Sequence, residues 1–121
     1  MDSSFDRPSR FLSWAHETFG DIALDPQERT MRFLEEAVEL AHAMNIDAAT
    51  VQAIADRVFS RPAGELTREV GQCLCTLELL SKALNVDANS LADDEFFRVQ
   101  RIPKEEWARR HGAKVALGIA R

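Results

Sequence analysis

Glu35, Glu36 and Glu39 stand close together in the segment 29–44, RTMRFLEEAVELAHAM. The segment has a helical period. Leu34, Ala37, Val38 and Ala41 recur at three- and four-residue spacing, and Phe33, Leu40 and Met44 widen the apolar arc. The three glutamates lie opposite that arc, with Arg32 on the same surface. Glu36 and Glu39 are three residues apart, so their carboxylates are neighbours and repel. A hard divalent cation reverses the sign of that interaction, because carboxylate oxygens are its preferred ligands. A solvated acidic face is the plain alternative. A second stripe, Glu65, Glu69 and Gln72, falls on one side of a leucine-rich segment and borders its apolar arc. A carboxylate edge is costly to bury there unless it is paired or bound to a cation. If the two helices pack antiparallel, three or four oxygens surround a magnesium ion, and water and phosphates fill its other positions.

The elements that must position these residues are all helical in pattern. The spacing predicts frayed residues at 1–8, a first helix over 9–19 ended by Gly20, and a start signal at Asp25-Pro26 for the glutamate-bearing helix. Asp47 caps a third helix over 48–59, and Pro62 and Gly64 break the chain after it. The leucine-rich helix runs over 65–84, with Leu66, Val70, Cys73, Leu74, Leu77, Leu80 and Leu84. Leu79 lies on another side, which predicts cover on more than one face. A turn at 85–87 leads to a helix over 88–100. A basic C-terminal segment, 103–121, follows, with Trp107 as anchor and Gly112 as a point of interruption. There is no strand-like alternation and no repeat. The expected fold is all-α: one domain over 1–121, a helical bundle of four to five helices built around two long antiparallel ones.

Composition narrows the function classes. The 121 residues are 45% hydrophobic, and 15 Lys and Arg against 20 Asp and Glu give a net charge of −5. That overall field disfavours a nucleic-acid polymer. No apolar run approaches a membrane span, and the first residues lack a secretory layout, so no membrane partner and a cytoplasmic location are expected. Cys73 and Cys75 are not C-x-x-C and point to different sides of a helix, so buried reduced thiols are expected rather than a disulfide or zinc. No glycine-rich phosphate loop is present. His42 completes an E-x-x-H with Glu39, but no second such pair exists for a di-iron site, so His42 reads as a surface residue. Trp14 and Phe19 read as core or interface residues. Arg32 either pairs with Glu36 or meets a phosphate. Arg110 and Lys114 share one helical side and either reach a triphosphate or form a solvated basic tail.

RFLEEAVELAHAM followed by RPAGELTREVGQCLCTLELLSKALNVD resembles the all-α nucleoside triphosphate pyrophosphohydrolases of the MazG type. That family's pattern is E-E-x-x-E on one helix and E-x-x-D on the next long one. The first half is intact here. The second reads Glu69-Val70-Gly71-Gln72, with glutamine where the family has aspartate. The ERxxRFLEEA and RPxGExxxEVG wording resembles a compact phage and bacterial subgroup that departs at the same aspartate. The likeness covers roughly residues 14–87 and, more loosely, the tail.

The resemblance implies a MazG-like helical bundle, completed as a homodimer or homotetramer. It also implies hydrolysis of a nucleoside triphosphate to monophosphate and pyrophosphate. Magnesium, or manganese in its place, would neutralise the polyphosphate and lower the pKa of the attacking water. Glu36, Glu39 and Glu69 would be metal ligands, with Gln72 at the fourth position. Glu35 would be an additional acid that orients water or holds a second ion, making Glu35 and Glu36 the catalytic pair. Arg32, Arg110 and Lys114 are the candidate nucleotide-binding cations. An amide at Gln72 carries no charge and weakens the metal site, and Glu65, one turn before Glu69, is the residue placed to compensate. The second reading is a MazG-like module that has lost turnover at Gln72 and binds nucleotide or a protein partner. A third is a purely structural four-helix dimer.

Overall fold

The computed structural model describes residues 6–121. Six α-helices account for most of them: α1 (Arg7–Phe19), α2 (Pro26–Ala43), α3 (Ala48–Phe59), α4 (Leu66–Leu84), α5 (Ala88–Gln100) and α6 (Lys104–Ala116). A 3-10 turn, Asp21–Leu24, joins α1 to α2, and no strand occurs among the described residues. The all-helical expectation holds, with six helices rather than four to five. The sixth arises because Gly112 does not interrupt α6. A glycine inside a helix costs about 1 kcal/mol, and the anchoring of Trp107 by its ring contacts offsets this. Of the segment expected to fray, residues 1–5 lie outside the described residues. Arg7 and Pro8 are helical, and Arg7 is tied to Asp93 at 2.8 Å.

Local chemistry sets the boundaries. Gly20, at φ 81°, ends α1 and donates its N–H to the carbonyl of His16 at 2.9 Å. Extended Asp25 precedes Pro26, and its side chain accepts the N–H of Gln27 at 3.2 Å. Asn45 and Asn85 both take positive φ just past helix ends, which asparagine tolerates better than other non-glycine residues. Asp47 caps α3 by accepting the Thr50 N–H at 2.8 Å.

The contacts divide the chain into two compact units. The first comprises residues 6–36 with Asn89–Arg121, and the second is Ala37–Ala88. Within the first, α1 packs on the 3-10 turn and on α6. Its core holds Ala15, Ala23, Phe96 and Val99 beside an aromatic cluster. Phe11 stacks on Phe96 at 4.6 Å, and Trp14, Phe19 and Trp107 meet edge to face at 5.8–6.2 Å. The Trp107 indole N–H donates to the carbonyl of Val99 at 3.2 Å. Trp14 and Phe19, expected in the core or at an interface, are half-buried members of this cluster.

The second unit has no buried apolar side chain; its one buried residue is Ser81. The cover predicted for the leucine-rich helix is not supplied by the described residues. Leu66 is 75% exposed, Val70 64% and Leu79 70%. The cysteines are free thiols as expected, but they are exposed rather than buried, because the surface of α4 that carries them is open.

Candidate functional site

Glu35, Glu36 and Glu39 lie within little more than one turn of α2, and each offers a carboxylate oxygen within 4.8 Å of the others. Helical spacing alone brings them together. Glu35 is half-buried, and Glu36 and Glu39 are exposed. Three convergent carboxylates are the donor chemistry of a hard divalent cation, with water or phosphate oxygens completing the shell.

The cations around this face are already engaged. Lys114 of α6 places its Nζ 2.7 Å from Glu35 Oε1. Arg32 Nη1 is 3.4 Å from the same oxygen. Its Nε faces Glu28 Oε2 at 3.5 Å, and its Nη2 donates to the carbonyl of Ile119. Glu28 is fully buried, and its Oε1 accepts the backbone N–H of Arg121 at 3.2 Å. Arg121 also reaches Asp25 Oδ2 at 3.0 Å. The chain from Gly118 to Arg121 therefore lies against the first turns of α2, held by Asp25, Glu28 and Arg32. The third candidate cation, Arg110, is bound to Glu106 at 2.9 Å and stacks over Trp107 at 5.2 Å. Hydrogen bonds from Arg109 and then Arg110 hold the Glu106 carboxyl down at about 2. Close to Glu36, Arg98 is held by Glu95 at 2.5 and 2.9 Å. That pairing, with a smaller contribution from the charge of Glu36, makes Arg98 more basic than usual.

The second predicted stripe lies on α4, in the unit that also holds Glu39, whereas Glu35 and Glu36 belong to the first. Glu69 is in the first turn and Gln72 one turn further on, both exposed. Glu69 is not a member of the three-carboxylate group, which among the described residues comprises Glu35, Glu36 and Glu39. Glu69 folds back toward Gly64, so that its Oε1 lies where a Cβ there would meet it, a contact that the exposed, flexible carboxylate can yield. Glu65, placed by its spacing to compensate for Gln72, is engaged elsewhere. It is the N-cap of α4: its carboxylate accepts the backbone N–H of Thr67 at 3.2 Å and of Arg68 at 2.9 Å, and the Thr67 hydroxyl at 2.7 Å. Both oxygens are used in holding the helix start. His42 is exposed, as expected.

Sequence reasoning missed Glu28. A signal was present, since Glu28 lies one turn before Arg32 on the same helix. A separate concavity of about 350 Å³ opens beside α1 and α5, lined by Arg10, Trp14, Phe96 and Gln100 among others. None of the candidate site residues lines it. No protein-family model, no curated protein and no solved structure matches the chain.

Proposed function

We propose that this chain is a magnesium-dependent nucleotide pyrophosphohydrolase of the MazG-like kind, converting a ribo- or deoxyribonucleoside triphosphate to its monophosphate and pyrophosphate. The observation that carries the reading is the convergence of Glu35, Glu36 and Glu39 on one face of α2, in an all-helical chain whose motif order resembles that family. When bound, magnesium supplies charge neutralisation and an acidified water. Glu36 and Glu39 would hold it, and Glu35 would either ligate a second ion or orient the attacking water. Glu69 is the further ligand that the motif assigns, with the Gln72 amide oxygen beside it. Arg32, Lys114 and Arg110 are the cations available to a triphosphate once their acid partners release them. The active form is a cytoplasmic homodimer or homotetramer, a reading supported by the uncovered apolar surface of α3 and α4.

A second reading has support of its own. Gln72 lacks the charge of the family aspartate, and Glu35 is paired with two cations. Both favour a module that binds nucleotide or a protein partner without turnover. Magnesium calorimetry with and without a non-hydrolysable triphosphate, on wild type and Glu36→Gln, separates them when followed by a pyrophosphate-release screen over the triphosphates. Binding lost in Glu36→Gln, together with release of pyrophosphate, supports the enzyme. Nucleotide binding without release supports the module. No magnesium binding at millimolar concentration with nucleotide present overturns the enzyme.

A further inference from the structure

Lys114 occupies a position that a metal ion would contest. Its ammonium is 2.7 Å from Glu35 Oε1, an oxygen that Arg32 also approaches, at 3.4 Å. Glu35 thus has two neighbouring cations on one oxygen. A divalent ion bound through Glu35 would meet both, and like charges at that range repel in a part-buried setting. Lys114 is also held in place. The N–H of Ile119 donates to the Lys114 carbonyl at 3.1 Å, and Gly118, at φ 75°, turns the chain back. Beyond it, the Ile119 carbonyl accepts from Arg32, the Arg121 N–H donates to buried Glu28, and the Arg121 guanidinium pairs with Asp25. These three ties fix the end of α6 on the first turns of α2. All the residues of this arrangement belong to the first unit.

We propose that Lys114, held in place by the strap 117–121, is a tethered counter-cation that competes with a divalent metal for Glu35, an autoinhibitory latch on the acid group. This rests on the metal-binding reading above. Metal and Lys114 exclude each other at Glu35: cation entry turns Lys114 away, and departure of Lys114 exposes an ammonium beside the bound metal, where a phosphate oxygen accepts it. The plain alternative is that Lys114 serves the C-terminal end of α6, where a cation is favourable. A helix-end role predicts a change in stability and none in metal affinity.

The test is manganese binding to the full chain, followed through the electron paramagnetic signal of free Mn2+, for wild type, Lys114→Met and Arg121→Ala. Methionine keeps the length and apolar stem of lysine. Arg121→Ala leaves Lys114 in place and loosens its anchorage, so it carries the test if Lys114→Met does not fold. Removing a competing cation of this exposure should tighten binding by about three- to fivefold in Lys114→Met. Arg121→Ala should shift affinity in the same direction by less. In wild type, added Mg2+ should speed hydrogen exchange of the Arg121 amide. Unchanged or weaker affinity in Lys114→Met, with wild type still binding, overturns the latch and leaves the metal reading standing. No binding by any of the three proteins overturns both.

Discussion

Glu28 is the only large side chain among the described residues that is fully buried, and it is an acid. Burial penalises its charge, and the compensation is incomplete: Oε1 accepts the Arg121 N–H, whereas Oε2 faces Arg32 Nε at 3.5 Å without a hydrogen bond. Arg29 Nε and Arg32 Nε are likewise buried without a hydrogen-bond partner. Removing the charge leaves the Arg32 guanidinium opposite a neutral amide, with Glu35 as its remaining acid. Breaking a buried pair typically costs 3–5 kcal/mol, and the part-exposed Arg32 screens some of it, so Glu28→Gln should destabilise the chain by about 2 kcal/mol. Urea unfolding at neutral pH measures this, and a loss under about 0.5 kcal/mol would mean that the pairing adds nothing beyond a surface bridge. The contrast with Glu35, Glu36 and Glu39 shows what one-dimensional reading reaches. Their juxtaposition follows from spacing within a single helix and was legible. The role of Glu28 depends on a partner 93 residues away, which periodicity does not encode.

At the scale of elements, helix starts and stops were legible where the side chain next to the boundary is of the ordinary kind. Gly20, Pro26 and Asp47 act where their types predict. Glu65 shows the limit. Glutamate is not among the preferred caps, so its spacing from Glu69 suggested a ligand, while its longer side chain in fact folds back onto the Thr67 and Arg68 amides. The Thr67 hydroxyl first, then the backbone bonds of Arg68 and Thr67, hold its pKa below the ordinary 4.5. A depressed carboxyl stabilises the fold above its unfolded pKa. This cap therefore contributes fully above about pH 4.5 and is lost as pH falls through the lowered value. Glu65→Ala should lower the melting temperature by a few degrees at pH 7. It should bring wild type and variant together in acid and leave manganese affinity unchanged. An affinity loss equal to that of Glu69→Gln would return Glu65 to the metal site.

The whole molecule poses a problem of cover. Its buried apolar side chains, Ala15, Ala23, Phe96 and Val99, all belong to the first unit. The second has none, although α3 and α4 carry Ile54, Val58, Leu66, Val70, Leu74 and Leu77. Helices of 12 and 19 residues are marginal in water without a packed face. An exposed apolar surface of this extent is one that a second copy could cover. The stripe Leu66, Val70, Cys73, Leu77, Leu80 and Leu84 alternates spacings of four and three, so it reads the same from either end. An antiparallel second copy would therefore set Leu66 against Leu84, Val70 against Leu80 and Cys73 against Leu77, the self-complementarity that a two-fold interface requires. Sedimentation should give a dimer or tetramer at micromolar concentration, and tenfold dilution should lower the melting temperature by a few degrees. Leu77→Glu should dissociate the assembly and melt α3 and α4, seen as lost helicity, while near-ultraviolet signals from Trp14 and Trp107 in the first unit persist. A monomeric wild type with full helicity and a melting temperature independent of concentration would show that the second unit stands without a partner.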